Sequence, residues 1–196
     1  MKYSIIADED TVLGFGIVGV AGKVATNAEE AGRAFEDLLA DVRVASVSPQ
    51  DESELRFRRA VAVRRLANVH ARTGRLDEAR DGYERALAEL EAVRRDRPDD
   101  RAVAIERANT LNNLGVMVGR GDPEAASRLF AEAGAAFEAL VAIRPDPELA
   151  AKAATTKTFA GVDLWEAERR DEALRLLEQA RVDALELHET WPQRVD

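Results

Sequence analysis

Along the greater part of the chain, small and large apolar residues recur in a fixed order between polar stretches. Stepping back by equal offsets from Pro98, Pro145 and Pro192, each 47 residues after the last, meets Gly74, Gly121 and Glu168, then Ala79, Ala126 and Ala173. The next two sets are Tyr83, Phe130 and Leu177, and then Ala86, Ala133 and Ala180. Spacings of four and three put each alanine-large-alanine set on one face of a helix. Upstream of each turn a second amphipathic helix carries Leu66-Ala67, Leu114-Gly115 or Ala160-Gly161. The pattern predicts three helical hairpins over residues 54–192, in units 52–98, 99–145 and 146–192, with the small residues buried at the seams and a proline closing each unit.

Residues 1–48 have a different texture. Lys2 to Ala7 is a short β-rich run, Thr11 to Val20 suits a short helix, and Lys23 to Thr26 suits a second strand. Asn27 with Glu30 forms a capping box for a helix from Ala28 to about Asp41. Arg43 to Ser48 suits a third strand. The order β-α-β-α-β predicts a small parallel sheet, and Pro49 to Ser53 is expected to be a linker into the hairpins.

The run Gly74-Arg-Leu-Asp-Glu-Ala79 with Tyr83 and Ala86, together with Asn112-Asn113-Leu114-Gly115, resembles the tetratricopeptide repeat. Repeats of that family usually span about 34 residues, so the resemblance implies extended hairpins stacked as an α-solenoid, each burying its face on its neighbour. Near the N-terminus, Ile6-Ala-Asp-Glu-Asp-Thr-Val-Leu-Gly-Phe15, Val18-Gly-Val20 and Asn27-Ala-Glu-Glu-Ala31 resemble the start of the F subunit of V/A-type rotary ATPases, over residues 1–47. That resemblance implies a Rossmann-like α/β domain that sits on the central stalk and performs no chemistry. The expected fold is therefore mainly α, with three extended hairpins preceded by a partial α/β segment.

Composition narrows the function. A net charge of −9 argues against a nucleic-acid surface, because phosphate binding needs concentrated positive charge. The chain has no cysteine and only two histidines, His70 and His188, in different units, which leaves no basis for a zinc site. The apolar run Val12 to Val20 is too short and glycine-rich to span a bilayer, and Asp8-Glu9-Asp10 does not suit a signal peptide. The sequence reads as cytoplasmic, without membrane insertion.

Gly14-Phe-Gly16-Ile-Val-Gly19 matches the letters of a dinucleotide fingerprint, but acidic residues stand between it and the strand, and close helix packing explains it better. Asp8-Glu9-Asp10 could hold a hard cation as in a receiver domain, but Val47 and Ser48 stand where a third-strand aspartate is needed, and a solvated turn fits better. His70, Trp165 and Trp191 read as packing residues. With no catalytic constellation visible, neither an enzyme nor a cofactor is expected.

The functional signal lies on the first helix of each unit. Arg64, Asn68 and Arg72 share a face, Asn109, Asn112, Asn113 and Arg120 present amides and a guanidinium from the second unit, and Lys157 adds a cation from the third. The repeat resemblance implies that these helices line a concave groove, and that Arg64, Asn68 and Asn113 stand where relatives clamp a peptide carboxylate. The expectation is a non-catalytic scaffold that binds an acidic peptide or helix. The alternative is an accessory or F-subunit-like component of a rotary ATPase stalk, with stalk subunits as partners.

Overall fold

A computed structural model describes residues 4–7, 21–27, 29–34 and 49–191. The chain divides into two compact units, Met1–Glu52 and Ser53–Asp196. In the first, strands β1 (Ser4–Ala7) and β2 (Ala21–Val24) pair in parallel, Ser4 opposite Ala21 and Ala7 opposite Val24. The second strand thus ends two residues earlier than the expected Thr26. Thr26 is used elsewhere: its N–H and hydroxyl both donate to the Glu30 carboxylate, at 2.9 and 2.8 Å, while the Glu30 N–H donates to Asn27 Oδ1 at 2.9 Å. These bonds satisfy donors at the start of the helix over residues 29–34 and take Thr26 out of the ladder. The expected helix Thr11 to Val20, third strand Arg43 to Ser48, glycine motif and acidic run lie outside the described residues.

The described residues of the second unit form helices and the turns between them. Helices α1 (Pro49–Arg72), α2 (Leu76–Asp96), α3 (Arg101–Val118), α4 (Pro123–Ile143), α5 (Pro147–Glu166) and α6 (Arg170–Thr190) follow one another as three antiparallel pairs. Residues 49–53, expected as a linker, are instead the first turn of α1. Proline fits there because a first-turn N–H has no partner within the helix. Asp100, Asp122 and Asp146 cap α3, α4 and α5, each carboxylate accepting from N–H groups of the first turn. Helices α2 and α6 begin without a side-chain cap and follow a left-handed residue, Gly74 at φ 79° and Glu168 at φ 61°. In both turns the next N–H, of Arg75 or Arg169, reaches back to a carbonyl of the preceding helix, His70 or Leu164, at 2.9 Å.

The seams are built from the repeated small residues. Ala79, Ala86, Ala126, Ala133 and Ala173 have no exposed surface, Ala180 is 4% exposed, and Tyr83 and Phe130 are each 3% exposed. Only Leu177 is half-buried, on the last helix. Helices cross so closely that a Cβ on Gly115 would lie 2.8 Å from Phe130 Cε1, and one on Gly161 would lie 2.7 Å from Leu177 Cγ. In the first pair the roles exchange: Ala67 carries the methyl on the first helix, and the gap is left by Gly82 on the second. Successive pairs join through α2 on α3 and α4 on α5, where Leu111, Phe137 and Leu149 form the largest shared core. At this second junction Gly134 faces α5, where a Cβ would stand in ordinary contact, 3.8 Å from Thr156 Cγ2. One repeat later the same position on α6 is Arg181, exposed and hydrogen-bonded to Glu178.

Candidate functional site

The first helices α1, α3 and α5 lie side by side and are cross-linked by polar side chains. Arg64 Nε on α1 donates to Glu106 Oε2 on α3 at 2.8 Å, with both side chains largely buried. Asn68 Oδ1 accepts from Tyr83 Oη at 2.7 Å and from Asn113 Nδ2 at 3.0 Å. Thr156 Oγ1 on α5 lies 3.2 Å from Asn112 Oδ1 on α3. The structure therefore brings Asn68 and Asn113 together and engages them and Arg64 in contacts within the chain. Asn109 is half-buried, while Arg72 and Arg120 are exposed near the ends of α1 and α3.

Lys157 is not on this face. It turns between α4 and α6, where Nζ meets Glu138 and lies 2.5 Å from Asp183 Oδ2. One residue on from Thr156 is about 100° round a helix, which carries the Lys157 side chain away from the contact with α3. Burial lowers the Lys157 pKa, but the two carboxylates outweigh it and hold it above its ordinary value. Arg107 makes the equivalent link in the preceding unit, joining Glu91 on α2 to Glu132 on α4. Burial raises the Glu91 carboxyl, yet hydrogen bonds from Arg107 and Arg94 leave it below the usual range.

What the charged residues leave open is apolar. Val116 on α3 and Phe159, Val162 and Trp165 on α5 are between 41% and 47% exposed. The Phe159 ring lies 5.4 Å from the buried Phe130 ring, and the Arg170 guanidinium covers Trp165 at 5.6 Å. Trp165 is thus a surface residue, whereas His70 is buried. Asp163 lies between these elements, its Oδ1 3.3 Å from where a Cβ on Gly119 would be. Burial, with Glu166 nearby, pushes its carboxyl above the usual range. The sequence signal for this surface was available, since Phe159 and Val162 stand where a solvated face would carry polar residues.

A cavity of about 380 Å³ opens at the far end of the third pair, among α4, α5 and α6. Among the described residues, no group of three or more acidic or histidine side chains converges to hold a metal ion, and no helix is long and apolar enough to cross a membrane.

Comparison with known proteins adds one similarity. Residues 4–62 match the family model of the ATP synthase (F/14-kDa) subunit, less than a third of the 196-residue chain. The matched stretch includes β1, β2, the helical residues 29–34 and the beginning of α1. No curated protein matches the chain.

Proposed function

We propose that this chain is a non-catalytic accessory protein of a rotary ATPase, with an F-subunit-like N-terminal segment that associates with the stalk and helical hairpins that extend from it. The carrying observation is the family match over residues 4–62, which ends inside α1 and so runs into the first repeated unit. The test is size-exclusion chromatography of the full chain with purified central-stalk subunits of its own organism's V/A-type ATPase. Co-elution at micromolar concentration supports the reading. Separate elution at every concentration and salt tried would remove it.

A second reading treats the hairpins as a tetratricopeptide-like scaffold, supported by the repeated alanine seam and by the exposed Val116, Phe159, Val162 and Trp165. Exposed apolar groups on neighbouring first helices suit the apolar face of a peptide or helix, and Arg72 and Arg120 favour acidic residues beside it. A partner isolated on the parent protein should be lost by Phe159→Ser with Val162→Ser. Equal retention would take the contact off the first-helix face.

A further inference from the structure

Each helical pair has a corner where the start of its first helix meets the end of its second, and the three corners are furnished differently. In the first, Arg97 at the end of α2 donates to Glu54 of α1 at 3.0 Å, pairs with Asp100, and lies 5.5 Å over the Phe57 ring. In the second, Arg101 opens α3 and reaches the end of α4, where Nη1 donates to the Leu140 carbonyl at 2.8 Å and Nη2 lies 3.5 Å from the Arg144 carbonyl. Asp146 stands 3.8 Å from the same guanidinium. Both corners are thus closed by an arginine.

Among the described residues, the third corner has no such arginine. The helix-opening position held by Arg101 in α3 is Pro147 in α5, and the repeat counterparts of Leu140 and Arg144 are Leu187 and Trp191. In place of a guanidinium there is the cavity of about 380 Å³, with Ala150, Leu187 and Trp191 in its wall and Glu138, Asp183 and Glu186 around it. Lys157 offsets part of the charge of Glu138 and Asp183, so the surroundings remain net negative with Glu186 added.

We propose that this corner is a binding site for an arginine side chain of a basic segment on a partner protein. The guanidinium takes the place that Arg97 and Arg101 fill in the first two corners. Its planar donors suit both the carbonyl end of α6, where the helix dipole favours a cation, and the Glu186 carboxylate. Its flat face can stack on the Trp191 indole. Lysine meets the charge requirement but lacks the planar fork, and an acidic ligand is repelled by the carboxylates. The site lies apart from the first-helix face and does not rest on the proposed rotary-ATPase association.

The test uses the full chain with Trp165→Phe, so that the remaining indole resonance reports on Trp191. The probe is an acetylated, amidated glycine-rich peptide carrying two arginines, compared with the same peptide carrying lysine or citrulline, the neutral isostere of arginine. The arginine peptide should shift the Trp191 signal saturably, lysine should bind several-fold more weakly, and citrulline at least tenfold more weakly. Glu186→Gln should weaken arginine binding several-fold. Pro147→Arg, which supplies the missing guanidinium from within the chain, should abolish it while raising the melting temperature. No shift, equal shifts with citrulline, or unchanged binding in Glu186→Gln would each overturn the proposal, even if Pro147→Arg does not fold. A site that binds the peptide only in Arg194→Ala belongs to the chain's own arginine, which overturns the partner assignment.

Discussion

The close crossing of α3 and α4 can be tested by a double-mutant cycle on Gly115 and Phe130. In a free helix, glycine to alanine gains about 1 kcal/mol. At Gly115 the added methyl would stand 2.8, 2.9 and 3.1 Å from three atoms of the Phe130 ring. The ring cannot retreat easily, because it is 3% exposed and packed with Ala126 and Ala160, with Phe159 on its other side. Overpacking of this kind costs about 1–3 kcal/mol, so Gly115→Ala should leave the parent slightly to moderately less stable. Phe130→Ala alone should cost about 3–5 kcal/mol through lost burial and the cavity left behind. In that background the obstructing ring is gone, and Gly115→Ala should become stabilising by about 1 kcal/mol. Helix propensity is common to both arms and cancels, so the cycle isolates a coupling of about 1–3 kcal/mol. The assay is urea unfolding of the full chain, followed by circular dichroism and by tryptophan fluorescence, whose coincidence checks that one transition is being read. A coupling of zero, with Gly115→Ala equally stabilising in both backgrounds, would refute the close crossing.

Three further outcomes are expected. Glu168→Gly should raise stability by about 0.5–1 kcal/mol by relieving the left-handed backbone of a side-chain-bearing residue, and Gly74→Ala should lower it by about 1 kcal/mol although the added methyl meets nothing; thermal melts of the pair check both signs. The Glu54 carboxyl is lowered chiefly by the Arg58 hydrogen bond, and Glu91 and Asp100 lie below their ordinary values because hydrogen bonds outweigh burial. A depressed carboxyl contributes stability above its unfolded value and loses it as pH falls through the folded one, so stability should drop on acidification through and below the usual carboxylate range, as urea midpoints against pH will record. Asp163 has the opposite sign: its folded carboxyl is raised, so its ionisation opposes folding above the usual range, and Asp163→Asn should stabilise the protein at neutral pH and do nothing in acid, a difference that melts at two pH values will show.

The hairpins were legible in the sequence because their seams require small residues at fixed helical intervals, and Ala79, Ala126 and Ala173 sit at those intervals. The end of β2 was not, because Thr26 has a strand-forming side chain whose hydroxyl and N–H were claimed by Glu30 four residues on. Pro49 suggested a linker by composition, yet proline is also at home in a helix's first turn. Arg64 and Asn68 both reach α3, but their partners Glu106 and Asn113 stand more than forty residues away in the chain. Periodicity gives the direction of a side chain and not what meets it. The same limit applies to the corners: the loss of Arg101's counterpart at Pro147 could be read from the sequence, but the carbonyls that the guanidinium holds could not.

The exchange of Gly134 for Arg181 bears on how such an array could lengthen. Duplicating the third pair in tandem would bring a new first helix against α6, where it would meet a guanidinium at the position that Gly134 holds on α4. Ala184 stands where α4 has the fully buried Phe137, so the apolar anchor of that junction is missing as well. A copied pair would therefore be expected to pack on α6 more closely with a small residue at 181 and phenylalanine at 184. Arg181 and Ala184 thus give the outward side of α6 a different character from the side of α4 that seats α5.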